Sequence, residues 1–99
     1  MWILQSLESQ KKEPLVFRVL PGTIKTVGRA PRADFIVEAA LVSRLHCRLE
    51  ADAEKLEVID LSSTNGTFVN NERVNRAKLN SGDRLRVGRV ELTVDKRQS

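Results

Sequence analysis

The sequence predicts an all-β fold, an antiparallel β-sandwich or small barrel, and three observations carry that reading. Short runs alternate apolar and polar residues with period two, turn-forming clusters punctuate the chain at regular intervals, and helix-forming composition is nearly absent. Met1-Trp2 leads directly into a strand-like segment, and Pro21-Gly22 reads as a turn before the apolar run Ile24–Val27. Gly28-Arg29 closes that run and opens a loop containing Ala30-Pro31. Glu38–Leu41 and Ala51–Lys55 have helix-forming composition, but both are too short for a packed helix. His46-Cys47-Arg48-Leu49-Glu50 and Leu56-Glu57-Val58-Ile59-Asp60 alternate cleanly, as half-buried strands with one wet face do. Ser62–Gly66 ends in Asn-Gly, the strongest short hairpin signal, and reads as a turn into Thr67-Phe68-Val69. Asn70-Asn71 and Asn80-Ser81-Gly82-Asp83 are further turns. Leu85 and Val87, then Val90, Leu92 and Val94, alternate with polar residues on either side of a tight hairpin at Val87–Val90. Phe17, Phe35 and Phe68 sit beside apolar neighbours and read as core. Ser9–Glu13 reads as a hairpin loop and 95–99 as a frayed, flexible tail.

Ninety-nine residues are expected to form a single domain over 1–99. Hydrophobic residues make up 40% and charged residues 30%, too apolar a mixture for disorder. Seventeen Lys and Arg against 13 Asp and Glu leave a net charge of +4, which invites an anionic partner without choosing among nucleic acid, membrane surface and phosphate. A single Cys excludes a disulfide framework and a multi-Cys zinc site, and a single His leaves a His-rich metal cluster without ligands. No metal and no cofactor are expected. Cys usage and the absence of a recognisable leader point to a reducing, intracellular setting, cytoplasmic or nuclear. The apolar runs are far too short to span a bilayer, so no membrane association is expected.

Catalysis finds little support. His46 and Cys47 are adjacent in a strand-like run, so their side chains point to opposite faces and cannot form a base–nucleophile pair. Neither a phosphate-cradling Gly-rich loop ending in Lys-Ser/Thr nor a Gly-x-Ser-x-Gly elbow is present. The basic residues are scattered, and few aromatics interleave with them, so a nucleic acid is not expected as the direct ligand. Three loops stand out instead. Arg29, at a strand end, can present its planar fork to a phosphate. Ser43 and Arg44 can add a hydroxyl and a charge, or serve only as turn chemistry. His46 follows as a loop brace, and Thr64 and Asn65 bring a further hydroxyl and an amide, ahead of Gly66.

Gly28-Arg29, Ser43-x-x-His46, Thr64-Asn65-Gly66-Thr67 and Val69-Asn70, in that order, resemble the forkhead-associated (FHA) domain, and the likeness runs from about residue 24 to 94. The resemblance implies a sandwich of about eleven short strands whose loops at one end bind a phosphothreonine peptide. By position, Arg29 would pair with the phosphate and Ser43 would donate its hydroxyl. Arg44 and Thr64 would contact phosphate or peptide backbone, and Asn65 would hold the peptide main chain. Gly28, His46 and Gly66 match structural positions. A phosphothreonine protein made by an upstream Ser/Thr protein kinase is the implied partner, in kinase signalling or the DNA-damage response. The resemblance also implies a preference for threonine over serine. It assigns the residue three after the phosphothreonine to loops near Ala40–Val42 and Asn70-Asn71, where apolar Leu41 and Val42 favour an undemanding or apolar choice. Two alternatives stay open: a scaffold of the same fold that binds partners without phosphate, and a small basic nucleic-acid-binding β domain.

Overall fold

The computed structural model describes residues 1–6 and 14–97. Among them are eleven strands and no helix: β1 Trp2–Ser6, β2 Val16–Val19, β3 Ile24–Gly28, β4 Phe35–Ile36, β5 Cys47–Ala51, β6 Leu56–Asp60, β7 Thr67–Val69, β8 Glu72–Val74, β9 Arg76–Leu79, β10 Arg84–Val87 and β11 Val90–Lys96. They build two sheets. One has the order β2-β1-β11-β10-β7-β8, and the other β4-β3-β5-β6-β9. The expected sandwich is therefore present, with one exception to its antiparallel character: β4 pairs with β3 in parallel, Val27 opposite Phe35 and Gly28 opposite Ile36.

The period-two pattern places the core. Cys47, Leu49 and Ala51 point inward from β5, Leu56 and Val58 from β6, Leu85 and Val87 from β10, and Leu92 and Val94 from β11. Leu4, Leu49, Leu56, Leu79, Leu85 and Leu92 have no exposed surface, and each such side chain contributes about 1.5–3 kcal/mol by leaving water. Phe17 and Phe35 stack with their ring centroids 4.5 Å apart, joining the edge strands β2 and β4 across the sandwich.

Three local expectations are corrected. The Asn65-Gly66 turn does not close a hairpin, because β6 and β7 lie in different sheets and residues 61–66 cross between them. Phe68 is outside the core: Thr67 and Val69 take the inward positions, and Phe68 lies half-buried on the outer face under the Arg86 guanidinium, 4.1 Å from its ring centroid. The polar end expected to fray from Asp95 instead carries β11 to Lys96, and the Arg97 amide donates to the Met1 carbonyl at 2.8 Å. The Ser9–Glu13 loop and residues 98–99 lie outside the described residues. The β10–β11 hairpin closes between Val87 and Val90, and Asn70 and Asn71, both with positive φ, form the β7–β8 turn.

Candidate functional site

Four connections converge at one end of the sandwich: 29–34 after β3, 37–46 before β5, 61–66 between the sheets, and the β10–β11 turn. Backbone contacts bring the first two together. The Arg29 and Ala30 amides donate to the Ser43 and Arg44 carbonyls, each at 3.0 Å. This approach requires Gly28, since a Cβ there would collide with the Arg44 carbonyl. The third connection is built on Asp60 at the end of β6. Its carboxylate accepts from the Ser63 hydroxyl at 2.6 Å and the Thr67 hydroxyl at 2.7 Å, and also from the Ser63 amide. Ser63 Oγ in turn accepts from the Gly66 amide at 3.0 Å. Burial drives the Asp60 carboxyl upward, but the bonds from Ser63 and Thr67 outweigh it and leave it below the ordinary aspartate value. Gly66 takes φ +91°, in the left-handed region, with the Arg73 guanidinium packed where a Cβ would stand.

His46 ties these connections together from beneath. It is fully buried, and its Nδ1 accepts from the Ser43 amide at 3.0 Å while Nε2 lies 2.8 Å from the Gly66 carbonyl. The amide can only donate, so Nδ1 carries no proton and Nε2–H is the donor to Gly66; the two partners fix the tautomer. Cys47 follows in the core. Burial, with the nearby Asp60 charge, pushes its thiol up to about 12, which keeps it protonated and unreactive.

Above this frame is an open groove of about 650 Å³, lined by Arg29, residues 38–42, Ser43, Thr64 and Asn65. Arg29 is exposed, and its Nε donates to the Val42 carbonyl at 3.1 Å. That bond fixes the plane of the guanidinium and leaves its terminal nitrogens to donate outward. Ser43 Oγ accepts from the Thr64 amide at 3.0 Å, so its own O–H remains to be given. Asn65 Nδ2 donates to the Leu41 carbonyl at 3.1 Å, holding Leu41 in a left-handed conformation with φ 71°. The result is a concave site with a fixed cation, a hydroxyl donor and an amide along one wall, suited to a tetrahedral oxyanion attached to an extended chain.

Arg29, Ser43, Thr64 and Asn65 thus share the groove. Arg44 does not line it: its carbonyl serves the Ala30 amide, and its side chain is exposed. Ala40–Val42 form a groove wall, whereas Asn70-Asn71 do not. The Asn70 side chain instead bonds to Asp83 and the Arg84 amide at the far end of β10. The Val42 and Leu41 carbonyls that hold Arg29 and Asn65 carry no sequence signal, since any residue could supply them. Asp60 could have been found, as an acid two residues before a Ser-Ser-Thr run, and three before Ser63, is a local capping pattern. Among the described residues, no group of three His, Cys, Asp or Glu side chains is arranged to hold a metal ion, and no helix is long and apolar enough to cross a membrane.

A family model for the FHA domain matches residues 25–88, most of the chain and all of the groove's lining residues. The chain belongs to the FHA domain family. It is similar to the glycogen accumulation regulator GarA of Mycobacterium tuberculosis, with 35% identity over 74 residues, covering 75% of this chain and 46% of the relative. The chain therefore spans about half the length of the curated relatives it matches. Among solved structures, it is similar to the FhaA FHA domain complexed with the intracellular domain of Rv3910, at 32% identity and a TM-score of 0.84, covering 95% of this chain and 99% of that one. An FHA domain solved in a structural and functional study of phosphothreonine-dependent interactions is alike to the same degree, 32% identical with a TM-score of 0.84, over 99% and 98% of the two chains.

Proposed function

We propose that the groove binds a phosphothreonine-containing segment of a partner protein, and that the chain acts by this recognition without catalysis. The observation that carries the reading is the Arg29–Ser43 pair. The guanidinium is pinned through Nε with its outer nitrogens unspent, beside a hydroxyl whose oxygen already accepts and whose proton is free. A phosphate carrying about −1.5 to −2 charges matches both groups. Thr64 and Asn65 stand where the peptide main chain would lie, and the hydroxyl and amide can hold it. Arg44, next to Ser43 in the chain, adds charge near the phosphate. Gly28, His46 and Gly66 set the loop positions and touch no ligand. The phosphothreonine-dependent interactions of a related FHA domain support this reading, as does the protein partner held by the FhaA domain. The mark would be placed by a Ser/Thr protein kinase, so the encounter belongs to the compartment where that kinase acts, inside the cell. The buried, protonated Cys47 offers no nucleophile.

Titrating a phosphothreonine peptide library, with unphosphorylated and phosphoserine twins of the peptides it selects, tests the reading. Selected phosphothreonine peptides are expected to bind, with the unphosphorylated twins silent and the phosphoserine twins weaker. Equal affinity for all three forms would overturn it.

A further inference from the structure

The β10–β11 turn and the 61–66 crossing, which flank the groove, lead onto the outer face of the six-stranded sheet, where Arg73 and Arg86 flank Phe68. The β10–β11 turn abuts the groove wall: a Cβ at Gly88 would stand 3.0 Å from the Ala40 carbonyl and the Val42 side chain, and Arg89 is exposed at the tip. One row further, Arg86, Phe68 and Arg73 lie opposite one another across β10, β7 and β8. Arg86 stacks on the Phe68 ring at 4.1 Å and donates to the Gly88 carbonyl at 3.3 Å, so its charge is held flat against the sheet. Arg73 reaches the other way, packing over Gly66 in the 61–66 crossing. None of the ion pairs among the described residues involves Arg73, Arg86 or Arg89. Glu91, opposite Arg86 on β11, is engaged by Arg84 at 3.5 Å.

We infer that this arginine face is a second contact surface for the same ligand, and that the partner carries acidic residues flanking its phosphothreonine. The inference rests on the phosphopeptide reading of the groove. Two features favour an acidic protein segment as the occupant. The face adjoins the groove on two sides, through the Gly88 turn packed against Ala40 and Val42 and through Gly66 next to the groove residue Asn65, so a chain leaving the groove over either wall runs toward these arginines. Its arginines are also outside the ion pairs, and Arg86 and Arg73 are partly immobilised by Phe68 and Gly66, which lowers the entropy lost on pairing with a carboxylate.

The test compares phosphothreonine peptides with a common core and acidic, neutral or basic flanks on either side. Each is titrated against the wild type, Arg73→Gln/Arg86→Gln and Arg89→Gln. The acidic-flank peptide is expected to bind about three- to tenfold more tightly than the neutral one at low salt, with the difference shrinking as salt rises. The double variant should lose that preference while binding the neutral peptide as the wild type does. Arg89→Gln, which removes an exposed side chain outside the stacked row, should lose part of it and guards against a general disturbance by the double variant. Phosphate-dependent binding with no acidic preference, or a preference that survives both variants, overturns the proposal alone. Loss of phosphate dependence in every peptide overturns the groove reading and this proposal with it. Capture of a single-stranded oligonucleotide that the same variants abolish, with indifference to acidic flanks, would assign the face to nucleic acid instead.

Discussion

At the scale of single residues, the site separates groups that offer something to a ligand from groups that hold them. Arg29 and Ser43 are of the first kind. Arg29→Ala is expected to remove about 1.5–3 kcal/mol of phosphopeptide binding, roughly ten- to a hundredfold in Kd, by isothermal titration. Stability should fall by only about 0.5–1.5 kcal/mol, because the one intramolecular bond lost is the Nε contact to the Val42 carbonyl. An unfolded variant would make Arg29 a structural residue. His46 is of the second kind. His46→Ala strands the part-buried Ser43 amide and the buried Gly66 carbonyl and opens a cavity. It should cost at least about 2 kcal/mol in denaturant unfolding, with the phosphopeptide affinity of the folded fraction also reduced. A fully stable variant would contradict the bracing geometry. Much of this was legible in the sequence as residue type: an Arg after a strand-closing Gly, a Ser three before a His, an Asn before a Gly. The anchors were not legible, because Arg29 and Asn65 are fixed by the main chain of Val42 and Leu41, and a carbonyl oxygen is the same in every residue.

At the scale of elements, the crossing 61–66 depends on one carboxylate. Because hydrogen bonds hold the folded Asp60 carboxyl below its ordinary value of about 3.9, its stabilisation is fully present above that value. It is lost as pH falls through the lower folded value. Asp60→Asn should therefore be less stable than wild type at neutral pH, with the gap in unfolding free energy closing below about pH 4. A gap independent of pH would mean that the charge is not what holds the crossing. Gly28→Ala should weaken peptide binding and stability together, since residues 43–45 must retreat from the new Cβ; nuclear magnetic resonance shifts confined to loop 43–46 would report it. The strands themselves were readable because alternation encodes which face is wet. Two misreadings at this scale have separate causes. Asn-Gly specifies a backbone turn but not which sheet the chain enters next, so a crossing reads like a hairpin. Phe68 reads as core by its chemistry, although the inward positions of Thr67 and Val69 leave it the outer face. The two-residue β4 is too short to show any period, and its parallel pairing is set by the stacking of Phe35 on Phe17 and by the Val37 amide bonding back to the Gly28 carbonyl.

At the scale of the whole molecule, the net charge of +4 does not by itself select a ligand; its distribution does. Arg29 faces the groove, while Arg48, Arg76, Arg84 and Arg97 are held in ion pairs along the sheets and the chain end. The pairing of Met1 with Arg97 has a different consequence. Met1 and Arg97 exchange backbone hydrogen bonds at 3.1 and 2.8 Å, just beyond β1 and β11, which are neighbours inside the six-stranded sheet. β11 runs from the groove end at Val90 to this pairing at its other end. A short linker could join Met1 to Arg97, and the domain could be opened at the exposed 52–55 turn, leaving every strand pairing and the whole groove intact. A circularly permuted version should therefore fold and bind as the original does. A dye or a solid support attached where Met1 and Arg97 meet would hold the molecule with its groove turned outward.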